Sequence, residues 1–258
     1  MRKFGLLGHP LGHSFSRQFH NDRFAQMGIE AIYENFDLED ISLLPDLLKN
    51  DTELCGLNVT IPYKQAVMQY LDELDPLAKR IGAVNVVRVK RLPADDFTPT
   101  HIKGLWLKGF NSDIIGFRDS LQTMLKGQEK RALVLGTGGA SRAIFVALQD
   151  LGIEPTYVSR TTAEGRLSYE QLTPEIIQSH LVIVNCTPLG MFPKIEACPD
   201  ISYQYITPDH ICFDCVYNPA ETLFMKKAAE QGAQVKCGYE MLVGQAIESY
   251  RLWTENKD

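Results

Sequence analysis

The run LNVTIPYK sets a lysine, Lys64, directly after an apolar strand pattern: Leu57, Val59 and Ile61 are apolar and predict a buried strand, stopped by Pro62. An ammonium at the mouth of such a strand is either solvated or a proton donor, and its own neighbourhood does not decide between the two. A second chemical signal is LVLGTGGASR, Leu133 to Arg142, set between an apolar strand and a helix. That is the context a dinucleotide-binding turn needs. Gly136 allows the tight turn, and Gly138 lets the backbone approach a pyrophosphate. The helix start then offers unpaired N–H groups and a positive dipole end. The usual third glycine would fall at Ser141, so the fingerprint is imperfect. About twenty residues on, the next strand ends in VSRTT. Ser159 and Arg160 stand there in place of the Asp or Glu common to NAD sites, and an arginine suits a 2′-phosphate, which favours NADP.

Two other spacings carry less. CFDC, Cys212 to Cys215, has redox-motif spacing but lies in a strand-like run, with no second pair to complete a zinc site. HPLGH, His9 to His13, is broken by Pro10 and Gly12 into a loop, so its rings need not share a face; no metal is expected.

The elements that must position these groups alternate. FGLLG is a strand. SRQFHNDRFAQMG is a helix with Ser14 or Ser16 as N-cap and Gly28 as its stop. AIYENFD, CGLNVTI and AVNVVRVK read as strands, and DISLLPDLLKN and KQAVMQYLDEL as helices. This βα alternation favours a mostly parallel sheet covered by helices. RLPADDFTPTHIKGLWLK, 91–108, is a turn or hairpin excursion. A helix from Ile114 to Lys126 follows, stopped by Gly127. A second series adds strands at RALVLG, EPTYVSR, LVIVNCTP, HICFDCVY and AQVKC, with helices at GASRAIFVALQDLG and PAETLFMKKAAEQG. The last helix, EMLVGQAIESYRLWTEN, sets Met241, Leu242, Ala246, Ile247, Tyr250 and Trp253 near one face. The expected organisation is a first α/β domain, 1–112, a Rossmann-type nucleotide domain, 113–237, and a C-terminal helix, 238–258, packing back on the first.

Composition narrows the function. With 258 residues, 45% apolar and a net charge of −6, the chain has room for two domains and lacks the basic footprint of a nucleic-acid binder. No apolar run approaches the about eighteen residues of a membrane span. The N-terminal MRKFGLLGHPLGHS is interrupted by Gly5, Gly8 and Pro10 and reads as strand and loop rather than a signal peptide. Six scattered cysteines fit reduced thiols and a cytoplasmic address.

HSFS, NVTIPYK, GAVNVV, GFNSDIIGF, GTGGASRA, SRT, NCTPLGM, FDCVYNP and GYEMLVGQA fall in one order along nearly the whole chain. In that order the sequence resembles the shikimate dehydrogenases. The resemblance implies two α/β domains with the substrate in the cleft between them. It implies NADPH-dependent reduction of 3-dehydroshikimate to shikimate, in the route to aromatic amino acids. Carried over by position, it makes Lys64 and Asp113 the catalytic pair. Ser14 and Ser16 become the grip on the substrate carboxylate, and Thr60, Asn85, Tyr217 and Gln245 further substrate contacts. Gly136, Gly138, Gly139, Ala140, Ser159, Arg160, Thr161, Thr187, Cys215 and Gly238 fall on the cofactor side. The expected partner is a small molecule, with neither nucleic acid nor membrane, and a homodimer is left open.

Three positions depart from the family pattern. Arg17 replaces a proline after the second serine, Ile114 replaces a glycine after the aspartate, and SRT replaces NRT without a close second basic residue, leaving Arg166 as helper to Arg160. The competing readings are an NAD-linked quinate/shikimate dehydrogenase, a folate-linked methylene dehydrogenase of related architecture, and a nucleotide-binding regulator without catalysis. Arg160 opposes the first, the serine pair and GFNSD the second, and the retained Lys64 and Asp113 the third.

Overall fold

Two six-stranded sheets organise the computed structural model, which describes residues 1–12, 14–96 and 98–255. His13 of the HPLGH pair and Phe97 of the 91–108 excursion lie outside the described residues. The chain divides into two units, Met1–Ser112 with the segment from Ala246 on, and Asp113–Gln245.

The first unit holds β1 (Arg2–Gly8), α1 (Phe15–Gln26), β2 (Ala31–Asp37), α2 (Leu44–Asn50), β3 (Leu54–Val59), β4 (Glu73–Leu74), α3 (Pro76–Ile81), β5 (Val86–Arg91) and β6 (Leu105–Phe110). The strand order is β2-β1-β3-β5-β6-β4. β1 runs parallel to β2 and β3, whereas β5 is antiparallel to both β3 and β6. β4 is parallel to β6, so most pairings are parallel as the alternation predicts, and the sheet is made mixed by the one reversed strand, β5. The 91–108 excursion is the hairpin connection that sets β6 antiparallel to β5. Its ladder closes with Leu92 N–H on the Gly104 carbonyl, and the Asp72 carboxylate takes the backbone N–H groups of His101 and Leu107. KQAVMQYLDEL is also not one helix. Ala66–Tyr70 forms a 3-10 turn, and Glu73–Leu74 pairs with Lys108 and Gly109 of β6. A regular helix starts only at Pro76, where the Asp75 carboxylate caps Leu77 N–H.

The second unit contains α4 (Asp113–Gln122), β7 (Arg131–Leu135), α5 (Gly139–Asp150), β8 (Glu154–Ser159), β9 (Arg166–Ser168), α6 (Pro174–Ser179), β10 (Val182–Asn185), β11 (Ile211–Asp214), α7 (Leu223–Glu230) and β12 (Gln234–Cys237). All pairings in the order β12-β11-β10-β7-β8-β9 are parallel. Strand order reverses between β7 and β10, the switch point at which such sheets bind ligands beyond their carboxyl ends. β9 and α6 are not legible in the sequence, because three and six residues are too short to display a period. α4 stops at Gln122 rather than Lys126. The Glu129 carboxylate collects the N–H groups of Lys126 and Gly127 and turns the chain there.

The last helix, α8 (Tyr239–Thr254), is shared, its residues to Gln245 belonging to the second unit and those from Ala246 to the first. Within the first unit, Trp253 stacks on Phe4 at 4.8 Å and packs over Gly56, where any side chain would meet the indole. Ile247, read as part of the apolar face, is exposed. Among the described residues no helix is long and apolar enough to cross a membrane.

Candidate active site

In the first unit the loop after β1 presents the serines. His9 Nδ1 and Leu11 N–H both bond the Asp37 carboxylate, at 2.6 and 2.9 Å, so His9 fastens the loop to the end of β2. These bonds hold the Asp37 carboxyl below its usual range, the Leu11 N–H contributing most. Ser14 caps α1, its Oγ accepting from Arg17 N–H at 3.2 Å. A proline at position 17 has no N–H to donate, so the departure adds a cap bond. The Ser14 proton remains available to donate to an anion at a helix start. Ser16 lies inside the first turn of α1, on the side of the Tyr33 phenol.

Thr60 and Lys64 follow β3, which ends at Val59, so that Ile61, expected as a buried strand position, is exposed instead. Thr60 N–H bonds the Leu7 carbonyl, Tyr63 N–H the Thr60 carbonyl, and Val84 N–H the Lys64 carbonyl at 2.7 Å. The Tyr63 phenol reaches back to the Leu38 carbonyl at 2.6 Å. Lys64 thus sits, half-buried, on backbone pinned from both sides. Asn85 is buried just before β5. Its Oδ1 takes Ser112 N–H at 2.7 Å, and its Nδ2 donates to Ser112 Oγ at 3.0 Å.

In the second unit every cofactor-side position falls at the carboxyl edge of the parallel sheet. Gly136 follows β7, Ser159 ends β8, Thr187 follows β10, Cys215 follows β11 and Gly238 follows β12. Gly136 needs its freedom, with φ of +103° and N–H on the Val158 carbonyl at 2.8 Å. Gly138 differs. Its φ is −74°, and a side chain there would meet nothing within 4 Å, so neighbouring protein does not demand a glycine. The open space lies at the start of α5, where no side chain caps the Gly139 and Ala140 turn. That is the cradle a pyrophosphate fits. Ser141 replaces the third glycine at no cost to packing: it is fully buried and bonds back to the Gly138 carbonyl at 2.6 Å.

Ser159 Oγ donates to the Thr161 carbonyl and leaves Arg160 exposed beside the strand end. Arg166 opens β9, half-buried, with no hydrogen-bond partner at Nε among the described residues. Thr187 is braced by Asn185 Oδ1, which accepts from both its N–H and hydroxyl. Asn185 in turn donates to Asp214 at 3.0 Å. Burial pushes the Asp214 carboxyl up to about 6, against the opposing hydrogen bonds from Thr222, Val216 N–H and Asn185. Cys215 Sγ lies 3.9 Å from Cys186 Sγ, and that contact, with burial, raises its pKa. Cys212 is a core side chain whose thiol burial pushes up to about 12. Among the described residues no group of three or more His, Cys, Asp or Glu is placed to hold a metal.

Asp113, nearly buried, opens α4, and Gln245 lies on α8. These helices cross at glycines, a side chain at Gly244 falling 3.2 Å from Gly116 Cα. Tyr217 follows Val216, whose N–H is held by Asp214, and partial burial raises the phenol pKa. Sequence reasoning missed the bracing residues: Asp37, Tyr33, Asn58, Ser112, Asn185, Asp214 and Ser249. Most of them act through hydrogen bonds between segments far apart in sequence, such as Asn58 to the Asn85 carbonyl, Ser112 to the Asn85 side chain and Asn185 to Asp214, which leave no local pattern.

Residues 6–87 match the family model described as the shikimate dehydrogenase substrate binding domain. A shikimate dehydrogenase (NADP(+)) of Bacillus cereus (strain AH187) is 37% identical over 270 residues, covering 97% of this chain and 92% of the relative. The crystal structure of shikimate 5-dehydrogenase from Thermus thermophilus, in complex with NADP(H) and shikimate, is similar with a TM-score of 0.81 at 33% identity, covering 98% of this chain and 94% of that one. A quinate dehydrogenase from Corynebacterium glutamicum in complex with NAD is similar with a TM-score of 0.83 at 26% identity, covering 98% and 93%. A parallel sheet with a glycine turn at its switch point, joined to a mixed α/β unit carrying hydroxyl, amide and ammonium groups, is the build of a nucleotide-dependent oxidoreductase. The chain belongs to the shikimate dehydrogenase family.

Proposed function

We propose that the chain catalyses the reversible, NADP-linked reduction of 3-dehydroshikimate to shikimate. The observation that carries this is the alignment of the cofactor-side positions along one edge of the parallel sheet, with an open cradle at Gly138. NADPH supplies the hydride when bound, and Gly138, Gly139 and Ala140 hold its pyrophosphate. Arg160 takes the 2′-phosphate, with no carboxylate at the end of β8 to select a free ribose hydroxyl instead.

Ser14 and Ser16 donate to the substrate carboxylate, Thr60, Asn85 and Gln245 contact its hydroxyls or carboxylate, and Tyr217 makes a further substrate contact. Reducing a ketone leaves negative charge on its oxygen, and Lys64 delivers the proton that quenches it. Asp113 is the second member of the acid–base pair. Lys64→Ala should lower kcat by about 10²–10⁴ while the KM for shikimate stays within a few-fold, read by steady-state kinetics. An unchanged kcat removes Lys64 from the chemistry.

A further inference from the structure

The first unit contains a buried polar chain that ends at Asn85. Tyr33 Oη donates to Asn58 Oδ1 at 2.9 Å. Asn58 Nδ2 donates to the Asn85 carbonyl at 3.2 Å and to Ser249 Oγ at 2.9 Å. Ser249 Oγ lies 3.0 Å from Ser112 Oγ, which accepts from Asn85 Nδ2. Tyr33, Ser112 and Ser249 are each fully buried, and Asn58 and Asn85 nearly so.

Backbone groups fix both amides. The Asn85 carbonyl can only accept, so Asn58 must turn its nitrogen there and its oxygen to Tyr33. Ser112 N–H can only donate, so Asn85 must turn its oxygen there and its nitrogen to Ser112 Oγ. Ser249 is the one member contributed by α8. Its hydroxyl joins the Asn58 amide to the Ser112 hydroxyl, and Ser112 in turn holds Asn85. No solvent reaches the position to replace it.

We propose that Ser249 is a positioning residue for substrate binding, locking Ser112 and Asn58 so that the Asn85 carboxamide keeps the orientation in which it meets a substrate hydroxyl. The inference rests on the function proposed above, in which Asn85 contacts the substrate. It assigns to the C-terminal helix a part in substrate affinity at a residue that touches neither substrate nor cofactor.

The test is a double-mutant cycle on Ser249→Ala and Ser112→Ala, measuring the KM for shikimate, the KM for NADP, kcat and thermal melting for each protein. The expected result for Ser249→Ala is a rise in the shikimate KM of about fivefold, the size of one buried hydrogen bond, with kcat and the NADP KM within about twofold of the parent. The double variant should rise little beyond Ser112→Ala, because both substitutions break one linkage. Where Ser249→Ala fails to fold, Ser249→Cys keeps the shape with a weaker hydrogen bond, and a rise of about twofold is expected. A shikimate KM unchanged in a folded variant, or increments that add fully in the double, overturns the positioning role and leaves it a packing residue. Failure of the parent protein to oxidise shikimate instead overturns the function on which the inference stands.

Discussion

His20 is fully buried in an aromatic nest, stacked on Tyr33 at 4.6 Å and flanked by Phe24 and Trp253. Neither ring nitrogen has a hydrogen-bond partner among the described residues. Burial, with a smaller push from Arg23, drives its pKa down to about 3. The sign follows directly. The ring is neutral in the fold, whereas the unfolded chain protonates near pH 6.5, so its contribution to stability is whole above 6.5 and is lost as pH falls toward 3. Asp214 pushes the other way: its raised pKa lets the folded chain keep a proton between about pH 4 and 6, and its contribution falls as pH rises through that range. Comparing the parent with a variant that differs only at position 20 isolates the histidine. His20→Phe should gain stability relative to the parent as pH falls from about 7 to about 5, with a slope approaching about 1.4 kcal/mol per pH unit. Melting temperatures that stay parallel across that range would contradict the burial argument. At this scale the sequence displays the candidate site groups, because glycine turns, hydroxyls and a lysine at a strand end are local patterns. It does not display Ser249, Asn58 or Asp37, whose work depends on partners brought together by folding.

At the scale of elements, the crossing of α4 and α8 places Gln245. A side chain at Gly116 would run into the Met241 carbonyl and lie 2.9 Å from Gln245 N. Both obstacles are backbone, so α8 itself must move. Gly116→Ala should destabilise the protein by about 1–3 kcal/mol and raise the shikimate KM, measured by denaturant unfolding and steady-state kinetics. A variant as stable as the parent would show that the helices yield freely. The salt bridge from Lys236 to Glu240, with Lys236 also bonded to Ser120 and Thr123, ties the same helices and resists that movement. Elements with a side-chain cap, such as α1 and α7, or a clear apolar period, such as α5, are legible in the sequence. The 66–74 segment is not. Its apolar spacing resembles a helix, but Glu73 and Leu74 gain a strand partner in β6, and tertiary pairing overrides the local pattern.

At the scale of the whole molecule, the sequence conveys two α/β units and the nucleotide-binding character of the second. The βα alternation and the glycine turn are enough for that. Mixed pairing in the first sheet is hidden, because the direction of β5 depends on where a connection lands. The sharing of α8 between units is hidden too, since a continuous apolar face does not announce where its partner changes. The choice between NADP and NAD hangs on few residues, Arg160 above all, and relatives of this fold include proteins solved with either cofactor.

Initial rates of the purified protein with shikimate or quinate, each paired with NADP or NAD, decide which substrate and cofactor the protein turns over. Turnover concentrated in the shikimate and NADP pair is the predicted result. Comparable turnover with quinate and NAD would contradict it, moving the protein to a different substrate class and releasing Arg160 from the 2′-phosphate.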